Sequence, residues 1–67
     1  MNTGDIGALI RKRRGVLGID QRTLSEIAGI AVHSLSNIEA GNGNPTVATL
    51  ERVLHALGME LRAEIKK

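Results

Sequence analysis

The chain has 67 residues, which allow one domain with a modest core and a thin margin of stability. It has no cysteine, so disulfides and thiolate metal sites are excluded and a reducing cytoplasm is expected; it has no aromatic residue, so stacking on unpaired bases is excluded as well. The net charge of +2 suits a nucleic-acid partner but does not by itself point to one.

The first stretch, MNTGDIGALIRKRR, places its charges after its apolar residues, opposite to the order of a secretory signal. No apolar run approaches the ~20 residues that span a membrane. Asp5 or Thr3 can cap a helix over about Ile6–Val16. At helical spacing, Ile6, Leu9, Ile10, Val16 and Leu17 fall on one arc and are the expected inner face. Gly7 and Gly15 weaken this helix by up to ~1 kcal/mol each relative to alanine. Arg11 to Arg14 form the only charge run and spread around the axis. Arg11 and Lys12 point away from the apolar arc, either into solvent or toward a phosphate. Arg14 sits at its edge, as a paired, partly buried cation would.

Gly18 closes the first helix, and Asp20 can cap a second that ends near residue 28. Gln21 lies in its first turn, where free N–H groups attract a phosphate. Leu24, Ile27 and Ala28 form the expected buried stripe, Gly29 the left-handed terminator, and Ile30 the apolar residue that packs after it. A third helix over about residues 32–40 turns Leu35 and Ile38 inward. His33, Ser34, Ser36, Asn37 and Ala40 form the outer arc, with Val32 at the margin. That arc is short, polar and uncharged: either an ordinary surface or a face able to approach base edges in a major groove.

Asn42-Gly43-Asn44-Pro45 is a loop by composition. Thr46 can cap a fourth helix, about residues 46–57. There Val47, Leu50, Val53, Leu54 and Leu57 cover about 120° of the wheel and close the core. Gly58 ends it. Then Met59, Leu61, Ala63 and Ile65 alternate with Glu60, Arg62, Glu64 and Lys66, a period of two that predicts a strand over about residues 59–65. A single strand in a helical domain has no partner within the chain, so it is expected to pair with its own copy across a two-fold axis, with a frayed end as the alternative.

Four fragments in one register resemble the phage repressor and Cro type of helix-turn-helix, the XRE family. They are I-R-x-x-R at Ile10–Arg14, L-G-I-D-Q at Leu17–Gln21, L-x-x-x-A-G at Leu24–Gly29 and L-S-N-I-E-A-G at Leu35–Gly41. The likeness runs from about Ile6 to Leu57. It implies an all-α, lambda-repressor-like bundle of four helices, to which the period-two tail adds a short C-terminal strand. It implies further that Arg14 and Glu39 form a structural ion pair. Ala31, Val32, His33, Ser36 and Asn37 match the base-reading and groove-lining positions, while Gln21, Arg22, Ser34, Asn42 and Asn44 are the expected phosphate contacts. Asn42 and Asn44 serve equally well as a polar turn. Two departures stand out. Ala31 replaces a capping Ser or Thr, at a cost of about 1 kcal/mol, and the outer face of the third helix lacks the Arg or Lys that most often reads guanine. Modest affinity of a single copy, and dependence on a homodimer, follow.

The end of the chain, L-x-A-L-G-M-E-L at Leu54–Leu61, resembles HipB-type antitoxins, which close their dimer with such a strand, bind operator DNA and bind a kinase-like toxin. The expected function is therefore a DNA-binding transcriptional repressor of a near-palindromic operator. The finer role implied is the autoregulatory antitoxin of a HipA-like toxin–antitoxin operon, in a bacterial cytoplasm and nucleoid-associated. The alternatives are a stand-alone phage-type regulator, or a protein-interaction module that acts by binding a toxin, with Leu9 and Val16 as an apolar contact flank. No cofactor, metal or membrane partner is expected. An enzyme is disfavoured because His33 and His55 are far apart in sequence and nothing else forms a catalytic constellation.

Overall fold

A computed structural model describes residues 2–66. Four helices follow in order: α1 (Thr3–Leu17), α2 (Gln21–Ala28), α3 (Val32–Glu39) and α4 (Val47–Ala56). The core is built from Ile10 of α1, Leu24 and Ala28 of α2, Leu35 and Ile38 of α3, and Leu50, Val53, Leu54 and Leu57 at the end of the bundle. Ile6, Ile19, Ile30, Ala56 and Met59 pack around it, half-buried.

Helix α1 begins earlier than the Asp5 or Thr3 cap would set it. Asn2 is the N-cap: its side chain accepts from the Asp5 amide at 2.9 Å, and Asp5 accepts from the Asn2 amide at 3.2 Å. This reciprocal box satisfies two donors that the helix itself leaves free. The inner face is also rotated from the arc expected. Ile10 is buried, but Leu9 and Leu17 are exposed and Val16 is 68% exposed. Their places are taken by Gly7, which is buried, and by the half-buried Arg13 and Arg14. The reason is the approach of α3: a Cβ on Gly7 would stand 2.8 Å from the Glu39 carbonyl oxygen and closer still to that of Ile38. Only a residue without a side chain lets the two backbones meet this way. The glycine that weakens α1 as an isolated helix is the one that seats it.

Asp20 caps α2, accepting from the Thr23 amide at 2.8 Å. Within α2 the expected stripe is corrected at one position. Ile27 is 61% exposed, and Ser25 is buried instead, its hydroxyl donating to the Arg22 carbonyl at 2.7 Å. The eight-residue helix rests on the core through Leu24 and Ala28, and Ser25 flanks that line on the side away from Ile27. Helix α4 starts at the Thr46 cap, which accepts from the Thr49 amide at 3.1 Å. Val47, expected inside, is 60% exposed, because it lies in the first turn, beyond the edge of the core. Arg13 ties the far end of α4 to α1: its Nε donates to the Leu57 carbonyl at 3.1 Å, occupying an acceptor that the helix end leaves open.

The tail is the largest correction. Among the described residues no strand is formed, and Met59, Leu61, Ala63 and Ile65 lie in irregular chain. The Met59 amide donates to the Leu54 carbonyl at 2.8 Å and Met59 packs on the core; beyond it every described residue is exposed. A strand is defined by ladder bonds, and one copy of this chain offers the tail no edge to bond.

Candidate nucleic-acid interface

The α2–α3 unit turns on Gly29, whose φ of +72° is the left-handed geometry that glycine takes without strain. The Gly29 amide bonds back to α2 carbonyls, and the Ile30 amide reaches the Ser25 carbonyl at 3.0 Å. Ile30 then packs on the core and Ala31 leads into α3 in an extended conformation. Ala31 makes no side-chain cap bond, so the first amides of α3 keep no protein oxygen at that end.

Leu35, Ile38 and Glu39 anchor α3 on its inner side. Its outer side presents Val32, His33, Ser34 and Ser36 to solvent, with Asn37 partly covered. His33 and Asn37 lie one turn apart, Nε2 and Nδ2 separated by 3.4 Å. Ser34 and Asn37 also meet the loop that follows. With Asn42, Gly43, Asn44 and Thr49 they line a shallow groove of about 300 Å³, whose wall also includes Ile38 and Pro45. The loop reaches this position because the Asn42 amide donates to the Asn37 carbonyl at 2.9 Å and Gly41, at φ +76°, passes against Gly4 of α1. The structure thus brings together Ser34, Asn37, Asn42 and Asn44, residues from two separate expected sets.

Behind this face lies the charged anchor. Arg14 donates from Nε and a terminal nitrogen to the two Glu39 oxygens, both at 2.9 Å, and from its other nitrogen to the Ile19 carbonyl at 3.1 Å. This is a bidentate pair, with the Glu39 side chain 3% and the Arg14 side chain 18% exposed. The hydrogen bonds to Glu39 raise the Arg14 pKa, against the desolvation that opposes them. Gln21 joins the pair, its amide nitrogen donating to Glu39 at 3.2 Å. One N–H of that amide is thereby committed, which leaves one for any further acceptor at the start of α2. Arg22, beside it, is exposed.

Arg11 and Lys12 lie on the exposed side of α1, as do Leu9 and Val16. Met59, Leu61, Ala63 and Ile65 belong to the tail and do not line the groove beside α3. Thr49 is a groove residue that the sequence pattern did not single out; its signal is the Thr46-x-x-Thr49 cap, which turns the start of α4 toward the loop. Among the described residues, no group of three or more metal-ligating side chains converges and no helix is long and apolar enough to cross a membrane.

A family model described as Helix-turn-helix matches residues 10–63. No curated protein sequence matches the chain. Among solved structures, the restriction-modification controller protein C.AhdI from Aeromonas hydrophila superposes with a TM-score of 0.82 at 24% identity, over 87% of this chain and 88% of that one. The clp gene regulator ClgR from Corynebacterium glutamicum superposes with a TM-score of 0.81 at 31% identity, over 87% of this chain and 62% of that one. The first of these likenesses establishes the fold alone, and this chain spans less than two thirds of the ClgR chain.

Proposed function

The chain belongs to the XRE-type helix-turn-helix family, DNA-binding regulators of transcription with the lambda-repressor-like four-helix fold, and we propose that it is a sequence-specific repressor that binds DNA as a homodimer. The observation that carries this reading is the outer side of α3. A helix held from behind by Leu35, Ile38 and the Arg14–Glu39 pair offers His33 and Ser36 exposed and Asn37 beside them. Laid in a major groove, Asn37 and Ser36 supply hydrogen bonds to base edges, His33 reads an acceptor or donor according to its tautomer, and Ala31 and Val32 give close apolar contact at the entrance. The second amide N–H of Gln21, Arg22, Ser34 and the Asn42 and Asn44 side chains provide the phosphate contacts that set register. With no cation on α3, one copy gains little affinity. Two copies reading half-sites about 34 Å apart supply the rest and call for a near-palindromic operator.

The test is binding to the DNA upstream of the chain's own gene. Replacing His33, Ser36 and Asn37 with alanine is expected to erase the preference for that DNA over random duplex. Replacing Arg22 with alanine is expected to weaken binding to both alike. A triple variant that keeps its preference removes α3 from the reading role.

For the finer role, the Leu54–Leu61 segment supports an autoregulatory antitoxin of a HipA-like operon. A kinase-like toxin encoded next door that co-purifies with the chain is the expected observation. Operator binding with no such partner makes it a stand-alone regulator. A toxin complex that binds no DNA makes it an interaction module.

A further inference from the structure

The chain has four asparagines, and the residue after each decides what its carboxamide can do. Asn2, Asn37, Asn42 and Asn44 are followed by Thr3, Ile38, Gly43 and Pro45. The Cγ of an asparagine is an electrophile, and the backbone nitrogen of the next residue reaches it by closing a five-membered ring. Asn44 has no such nucleophile, because the Pro45 nitrogen carries no hydrogen. Asn2 is held as the N-cap of α1, its side chain bonded to the Asp5 amide. Asn37 lies inside α3, where the helix fixes the Ile38 nitrogen.

Asn42 escapes all three restraints. It and Gly43 lie outside the helices and are exposed. The Asn42 backbone amide is tied to the Asn37 carbonyl at 2.9 Å. Among the described residues, however, neither the Asn42 carboxamide nor the Gly43 N–H makes a hydrogen bond. Gly43 has φ +75°, and a Cβ there would meet nothing within 4 Å, so open space surrounds the nucleophile and no side chain shields it. Glycine also lets the backbone turn into the ring at little steric cost.

We propose that Asn42 is a self-modification site, deamidated through the Gly43 nitrogen, and that the product releases the chain from DNA. The Gly43 amide gives its proton to water, and its nitrogen attacks Cγ of Asn42. The new N–Cγ bond forms, the Cγ–Nδ2 bond breaks, and Nδ2 leaves with a proton from solvent as ammonia. Water then opens the succinimide. Opening at Cγ leaves aspartate at position 42. Opening at the main-chain carbonyl leaves an isoaspartyl link, which adds one main-chain carbon and displaces the loop. One water enters and one ammonia leaves, with nothing oxidised or reduced.

The carboxylate formed stands in the groove that Asn42 shares with Ser34, Asn37 and Asn44. No cation of α3 balances it, and it lowers the net charge of +2 by one. Where a neutral amide met a phosphate, a like charge now faces it. A bound phosphate backbone also covers the Asn42 amide, so DNA-bound chain is protected while free chain ages. The chemistry stands on the loop alone; its effect on DNA rests on the reading proposed above.

The test incubates the full chain alone and with duplex DNA from upstream of its own gene, and follows each asparagine by peptide mass. The amide-to-acid mass change is expected at Asn42 before any at Asn2, Asn37 or Asn44, with ammonia released and both aspartyl and isoaspartyl peptides formed. Binding to the duplex should fall in step, by about tenfold once Asn42 is converted. Fresh Asn42→Asp should start at that weakened affinity. Asn42→Gln, whose extra methylene enlarges the ring to be closed, should hold whatever affinity it starts with. Saturating duplex should slow the conversion. Conversion at Asn2 or Asn37 ahead of Asn42 overturns the site. Conversion at Asn42 with duplex binding unchanged, or an Asn42→Asp variant as tight as wild type, overturns the release. Equal rates with and without bound duplex overturn the protection. A chain that converts at Asn42 but never binds the duplex keeps the site and overturns the DNA reading on which the release rests.

Discussion

The backbone of Gly7 lies against the carbonyl oxygen of Ile38, so close that no Cβ fits between them. This contact sets how deeply α1 seats behind α3, and it sets the position of the outer face that DNA would meet. Gly7→Ala is therefore expected to destabilise the fold although alanine is the better helix former. The overlap is with backbone atoms, which cannot rotate away, and a cost of roughly 2 kcal/mol is expected of such overpacking. Gly15 is the internal control. It lies in the same helix with nothing within 4 Å of its missing Cβ. Gly15→Ala should gain up to about 1 kcal/mol. Thermal melts should separate the two by well over 10 °C, at about 4–8 °C per kcal/mol for a domain of this size. Equal shifts would mean that α1 does not rest on α3 through Gly7.

The Arg14–Glu39 pair joins the same two helices by charge. Arg14→Ala leaves a carboxylate whose side chain is 3% exposed with only Gln21 to bond it. A loss of about 3 kcal/mol is expected, most of it the penalty of the stranded Glu39. Arg14→Met with Glu39→Leu removes both charges and should be markedly less destabilised than the sum of the single changes. Urea unfolding of wild type, Arg14→Met, Glu39→Leu and the double variant gives the cycle. Additive losses would show that the two side chains do not act as a pair.

Much of this arrangement could be read from the residues, and the exceptions share a cause. Asp20, Gly29, Thr46 and Gly58 are local signals: each acts through its own backbone within a few residues, so the chain alone carries the information. Leu24, Leu35, Ile38, Leu50, Val53, Leu54 and Leu57 follow from helical spacing. Ile27, Val16 and Val47 have the same spacing but lie outside. A helical wheel ranks residues by apolarity, whereas α1 and α2 are placed by what lets helices approach, and that selects Gly7 and Ser25. Arg13 was hidden because a run of four cations reads as a solvated face; its bond to the Leu57 carbonyl depends on where α4 ends, 44 residues away. At the candidate interface, the polar arc of α3 was visible from its own sequence. The groove that adds Asn42 and Asn44 to it was not, since the path of that loop depends on Gly41 passing against Gly4.

The pH dependence of stability has a definite sign. The amide of Thr23, and then its hydroxyl, hold the Asp20 carboxylate below its ordinary pKa, with Arg14 and Arg22 adding to the effect. A carboxyl group lowered on folding contributes stability that is fully present above its ordinary value of 3.8 and is lost as pH falls through the lower folded value. Arg14 is raised instead, so its contribution persists far into the alkaline range and does not vary near neutrality. Asp20→Asn keeps a capping oxygen but does not titrate. The stability difference between wild type and Asp20→Asn should therefore be constant near neutral pH and shift in favour of the variant below about pH 4. Parallel unfolding curves down to about pH 2 would show that the Asp20 cap does not titrate with folding.

Ala31 opens α3 without a capping oxygen, so the helix that carries the candidate reading face starts with its first amides unserved by a side chain. Its extended backbone, φ −69° and ψ 147°, is already that of an N-cap. Serine there needs no rearrangement to accept from the amide of His33 or Ser34, and Ala31→Ser is expected to stabilise the protein by about 1 kcal/mol, or roughly 4–8 °C in Tm. Ala31→Val has the same backbone demand but no oxygen and should bring no gain. The capping hydroxyl folds back on its own helix, so the sequence preference for DNA should stay with His33, Ser36 and Asn37 while the fold becomes firmer. A gain in stability together with a changed operator preference would show that the hydroxyl at residue 31 turns to a base edge instead of capping its own helix. No gain in stability would mean that the first turn of α3 finds its acceptors elsewhere.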